Sequence, residues 1–227
     1  MQIARARRTL APGEAVSLSS EDYSDPRRDA EIDRLADRFV DEERGIVAAL
    51  RADGMEITTV GDLQDGRAVR EHVPVLAEWL GRVENVDVKE VIVRALGTRP
   101  HGRLAVEALL RELRDVDAPR TYRWAVGDAL AAQRDRTIAP ELVAVLRDPR
   151  QGIARQTVAE ALGRTGDPVA FRPLVEALAD PEVAGHAAQA LGLLGDPAAR
   201  PHLEPLRSSS TPWVRNAATQ AFERLGR

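Results

Sequence analysis

The chain has 227 residues, no cysteine and a formal net charge of -4. Disulfides and thiolate metal sites are thereby excluded, and general nucleic-acid binding, which rests on phosphate neutralisation, is disfavoured. No stretch reaches the roughly 18 apolar residues of a membrane span, and no apolar run of signal-peptide length follows Arg5, Arg7 and Arg8. The expected setting is cytoplasmic, and the Ala, Arg and Leu bias suggests a bacterial source.

Residues 1–29 are polar and hold turn formers (Pro12, Gly13, Pro26). They are expected to form a flexible or partly disordered arm. The next segment, 30–70, reads as an N-terminal helical cap and loop. Ile32, Leu35, Ala36, Phe39, Val40, Ile46, Val47 and Leu50 fall on one helical stripe, and Gly54 stops it. Met55–Asp65 fits a short extended piece or a loop. Acidic residues concentrate here: 21–45 carry ten acids against five arginines. The remainder is therefore slightly basic, and the objection to nucleic acid is weaker there.

From residue 71 onward the chain repeats. VIVRALG (91–97), AVGDALA (125–131), TVAEALG (157–163), AAQALG (187–192) and AATQAF (217–222) share one pattern, with anchors Leu96, Leu130, Leu162, Leu191 and Phe222 spaced by 34, 32, 29 and 31. Between them run VLAEWL (75–80), ALLREL (108–113), ELVAVL (141–146) and PLVEAL (173–178), with HLEPL (202–206) a weaker fifth. Two interleaved apolar series on one period define a two-helix repeat. Asp148-Pro149, Asp180-Pro181, Gly166-Asp167-Pro168 and Gly195-Asp196-Pro197 punctuate the connectors, because glycine ends a helix and proline cannot continue it.

Segments such as ALGRTGDPVAFRPLVEALADPEVAGHAAQALGLLGDPAARPHLEPL (161–206) resemble HEAT repeats, closest to the short HEAT-like type of phycobilin lyases. The resemblance covers about 71–227 and implies an all-α, right-handed α-α superhelix. About five hairpins would stack behind the N-terminal capping helix, since a single hairpin cannot bury its own apolar face. It implies a non-catalytic protein-binding or scaffolding module with a concave groove, with a phycobilin-lyase-like role as an alternative. The expected partner is another protein; no membrane is expected. Fold alone does not decide function.

Lys89, Arg123, Arg155 and Arg215 each lie seven residues before an anchor, where the fourth repeat has Ala184. One reading makes this row structural, each cation bonding a turn aspartate of a neighbouring repeat (Asp87, Asp115 or Asp117, Asp148, Asp180). The other makes it a basic stripe gripping phosphate or carboxylate. Trp124 and Trp213 lie next to this row and are candidate binding residues, since Trp and Arg dominate interface hot spots. The alternative is that both rings pack between hairpins. Trp79 sits on the second-series stripe and is expected in the core.

No catalytic residue, metal ligand set or cofactor is expected. His72, His101, His186 and His202 lack metal-pair spacing, and no Gly-x-Ser-x-Gly elbow or phosphate loop is present. HEAT-type deoxyhypusine hydroxylases bind iron through His-Glu pairs, but Glu71-His72 has the reverse order and Ala187 follows His186. HEAT-like alkylpurine DNA glycosylases resemble the chain more: Trp124 and Asp128 are four apart, with Arg155 and Trp213 following. The segment is Arg-Trp-Ala-Val-Gly-Asp rather than that family's double-Trp run, and Asp128 shares its repeat position with Arg94, Glu160, Gln189 and Gln220. If the basic row binds a partner, Arg123→Glu with Arg155→Glu should abolish binding and spare helicity. If the row is structural, thermal stability should fall instead.

Overall fold

The computed structural model describes residues 26–65 and 69–226. The arm expected at 1–29 falls outside them except for its last four residues, which are helical. Two compact units divide the chain at 38/39. Of the first, the described part is 26–38, the opening turns of helix α1 (Pro26–Ala52).

The described residues contain eleven α-helices and no strand. After α1 the even series comprises α2 (Val73–Leu80), α4 (Arg103–Arg114), α6 (Ala139–Arg147), α8 (Phe171–Ala177) and α10 (Arg200–Leu203). The odd series comprises α3 (Val86–Leu96), α5 (Arg120–Gln133), α7 (Ala154–Thr165), α9 (Ala184–Leu194) and α11 (Pro212–Arg224). Each even helix pairs with the odd helix after it, and each odd helix packs on the next odd helix. This is the stacked-hairpin solenoid that the two apolar series predict. HLEPL is irregular for a local reason: Pro205 cannot continue α10, which is one turn long, and a 3-10 turn over Glu204–Ser208 follows it.

The odd helices pack extensively against each other, and the even helices touch one another less. Small residues permit the close approach. A Cβ on Gly163 would lie 2.5 Å from the Ala190 carbonyl oxygen and 2.7 Å from its Cα. On Gly192 it would lie 2.8 Å from the Ala221 Cβ. The anchors Leu96, Leu130, Leu162 and Leu191 behind these contacts are buried, each stabilising the fold by about 1.5–3 kcal/mol.

Turn aspartates set the connectors. Asp135, Asp148, Asp167, Asp180 and Asp196 each accept the amide two residues on, at 2.8–3.1 Å. This local bond competes with helix continuation and fixes the bend. At the N-terminal side, Glu42 accepts the amides of Glu84 and Asn85, both at 2.9 Å, and Glu43 accepts that of Val60. The C-terminal half of α1 thus caps the first hairpin. Its apolar stripe holds at Ile46, Val47 and Leu50, but Val40 is 47% exposed rather than buried. Met55–Asp65 is a loop and a 3-10 turn (Val60–Asp65) that bury Met55, Ile57, Val60 and Leu63. Trp79 packs against the core, its ring filling the space over Gly45. At the other end Phe222 lies against the guanidinium groups of Arg200 and Arg207, at 3.7 and 4.4 Å.

Alanine ordinarily stabilises a helix over glycine by about 0.5–1 kcal/mol, but at Gly163 crowding wins. Gly163→Ala should destabilise the protein by about 1–3 kcal/mol in urea unfolding. Gly81→Ala, where the nearest atom would be 3.6 Å away, should change stability by less than about 0.5 kcal/mol.

Candidate functional site

Seven residues are nearly two helical turns, so a residue seven before a buried anchor returns to the anchor's own face. The basic row consequently turns inward. Arg123 is 4% exposed and Arg155 7%. Arg155 donates to Asp180 at 2.6 Å and to Glu182 at 3.4 Å, in the turn before α9. This is the inter-repeat bond of the structural reading. Arg123 does not reach Asp148. It donates to the carbonyls of Gln151 and Leu113, at 3.1 and 3.4 Å, and to the Gln151 side chain. Asp148 is held instead by Arg150, which pulls its carboxyl down to about 2. Lys89 meets Glu112 at 2.6 Å, and the buried Tyr122 hydroxyl donates to the same carboxylate. Arg215 donates to the Ser209 carbonyl at 2.7 Å.

Two residues before the anchor is the opposite face. Arg94, Asp128, Glu160, Gln189 and Gln220 occur there, on α3, α5, α7, α9 and α11, all exposed or half-buried. Arg94 pairs with Glu90 and Arg164 with Glu160. Burial within the groove, with Glu160 adding to it, raises the Asp128 carboxyl; Arg164 and Arg94 oppose it. The face therefore mixes charges rather than forming a continuous positive groove. Asp128 shares one groove of about 260 Å³ with Arg94, Gly97 and Thr98. A second, of about 120 Å³, lies between Gln189, Leu193, Gln220 and Arg224.

Both candidate tryptophans belong to this outward face. Trp124, one turn before Asp128, is half-buried and its ring is absent from the core. Trp213, seven before Gln220, is 50% exposed. Its indole covers Gly185 and tilts against His186, with ring centroids 5.5 Å apart. Burial lowers the His186 pKa, Glu160 opposing, and His186 Nδ1 has no partner among the described residues. Trp124 and Trp213 are not brought together: α7 and α9 stand between their helices. The glycosylase-like set is likewise divided, with Trp124 and Asp128 facing outward and Arg155 inward.

His101 lies in the α3–α4 loop and His72 bonds Asp53 at 2.7 Å. Among the described residues no group of His, Asp and Glu could hold a metal ion, and no helix is long and apolar enough to cross a membrane. A family model described as HEAT repeats matches 106–184 and 179–223, more than half of the chain. The chain belongs to the HEAT-repeat family. No curated protein matches it.

Removal of the Arg155 guanidinium leaves the half-buried Asp180 without its cation. Arg155→Ala should lower stability by about 1–3 kcal/mol in thermal unfolding. Burial alone would raise the Asp180 pKa; the Glu182 amide and Arg155 together outweigh it and hold the carboxyl below its ordinary value. A depressed native pKa contributes stability above the unfolded value of about 3.9 and loses it as pH falls through the native one. The variant should therefore show a smaller stability loss on acidification below about pH 4 than the parent protein.

Proposed function

We propose that this protein is a non-catalytic binding module that holds an extended segment of another protein along the outward face of α3, α5, α7, α9 and α11. The carrying observation is that Trp124 and Trp213, the two tryptophans outside the core, both stand on that face. Close packing of the odd helices against looser packing of the even ones bends such a stack toward the odd side, which makes this face concave. Its mixed Arg94, Asp128 and Glu160 row suits a polar peptide better than a phosphate backbone. Lys89, Arg123, Arg155 and Arg215 act in this reading as the scaffold beneath the groove, because each bonds a neighbouring element: Lys89 bonds Glu112 of α4, and the three arginines bond connector residues.

Helices 8–10 Å apart put Trp124 and Trp213 on the order of 27 Å from each other. An extended segment of about eight residues spans that gap. Trp124→Ala with Trp213→Ala should weaken a purified partner at least about 30-fold, since truncated hot spots cost about 2 kcal/mol or more. Far-ultraviolet circular dichroism should be unchanged. Leu104→Ala, on the exposed side of α4, is the control and should bind normally. Full-strength binding by the tryptophan double variant would eliminate the groove as the contact surface.

A further inference from the structure

One carboxylate in the groove has no counter-charge of its own. Arg94, Asp128 and Glu160 hold the same register on α3, α5 and α7, each two residues before its anchor. Arg94 is matched one turn back by Glu90, at 2.5 and 2.9 Å. Glu160 is matched one turn on by Arg164, at 2.6 and 3.0 Å. On α5 those two flanking places are Trp124 and Ala132, and the residues three away are Ala125 and Ala131. Its own helix therefore offers Asp128 no cation at pairing distance. Among the described residues Asp128 makes no hydrogen bond or ion pair.

Asp128 stands at the edge of the pocket of about 260 Å³ where α3 meets α5. Half-buried Gly97 and buried Ala125 and Ala129 give that pocket an apolar floor, and the exposed Arg94, Thr98 and Asp128 give it a polar rim. The two backbones run close beneath it: a Cβ on Gly97 would lie 3.0 Å from the Cα and Cβ of Ala129. On the rim, the Thr98 hydroxyl already donates to the Ala95 carbonyl at 2.9 Å. Arg94 turns its guanidinium to Glu90. Asp128 is left as the unmatched charge.

A plainer reading makes Asp128 an ordinary solvated carboxylate. Burial, the largest influence on it, raises its pKa, and Glu160 adds to that against Arg164 and Arg94. The site thus withdraws part of the water that would hydrate a surface aspartate and supplies no donor in exchange. A cation arriving from outside would supply one. Trp124, one turn earlier on the same face, has its Cβ about 5–6 Å from that of Asp128, and an indole attracts a cation. An apolar floor beneath a charged rim fits a long alkyl stem with a charged tip.

We infer that the Asp128 pocket takes a lysine or arginine side chain of the segment lying in the groove. The inference rests on the proposed peptide-binding function and deepens it, since it names the class of residue the segment carries beside the Trp124 contact. Arg94 does not oppose this, because Glu90 matches its charge.

The full chain, immobilised, is the bait for a displayed library of peptides of about eight random residues, the length that spans the groove. One position of the selected peptides should be basic, with lysine plus arginine enriched about tenfold over aspartate plus glutamate. Asp128→Lys should invert that preference, and Asp128→Asn should erase it. Helix α3 carries Arg94 in this register, so the fold accepts a cation there. Both variants should keep the parent melting temperature within about 2 °C. Glu107→Lys, at an exposed position of α4, changes net charge by as much as Asp128→Lys and should leave the preference intact. Loss of the preference in Glu107→Lys as well would reduce it to overall charge and overturn the inference. A preference that persists in Asp128→Lys, or peptides selected without a basic position, would overturn the inference and leave groove binding standing. Selection of no peptide by the parent protein would overturn both.

Discussion

The structure depends on how closely the odd helices approach one another. Where α7 crosses α9, the Ala190 backbone occupies the volume that a Gly163 side chain would need. Gly127 against Thr157 and Gly192 against Ala221 repeat the same condition. At such separations interhelical dispersion acts over the whole contact, and water is excluded from the seam. Packing can then tolerate only glycine, alanine and a few threonines along it. Larger leucines are displaced to the space between the layers, where both series bury them.

Burial also decides what the charged rows do. Arg123 and Arg155 sit in the same repeat position, but their partners differ. Asp180 accepts from Arg155, whereas Asp148 is occupied by Arg150 and leaves Arg123 to the Gln151 and Leu113 carbonyls. The result for Arg123 is a guanidinium whose pKa burial lowers, with Asp115 and Asp148 opposing from a distance, and whose Nε has no partner among the described residues. A neutral acceptor compensates a buried cation less well than a carboxylate does. The two arginines are equivalent in register and unequal in energy.

Departures from the repeat are more informative about function than the repeat itself. Stacked units reproduce the same pairings wherever stability alone operates, so an Asp128 carboxylate without the intrahelical partner that Arg94 and Glu160 have is a local conflict without a folding benefit. The two tryptophans are conflicts of a second kind, large apolar rings on a polar face. Both kinds fall on the odd layer. The even layer shows conventional exposed pairs instead, Arg114–Glu141 and Arg147–Glu176, each worth little in water.

The linear pattern was sufficient for the helices, their pairing, the turns and the family, because these rest on local periodicity and on glycine, proline and aspartate chemistry. The inward turn of the basic row was also legible: a seven-residue offset from Leu130 or Leu162 returns to the buried face. The outward row headed by Arg94 and Asp128 lies on the opposite face by the same arithmetic. Other features came from tertiary structure alone. Which acceptor each arginine finds depends on the offset between neighbouring hairpins. The exposure of Val40 depends on what α1 meets, and the pocket at Asp128 is completed by Arg94, Gly97 and Thr98 from the neighbouring hairpin. Sequence periodicity records the angle of a side chain about its own helix axis; the distance to a residue some 30 positions away is set only when repeats stack.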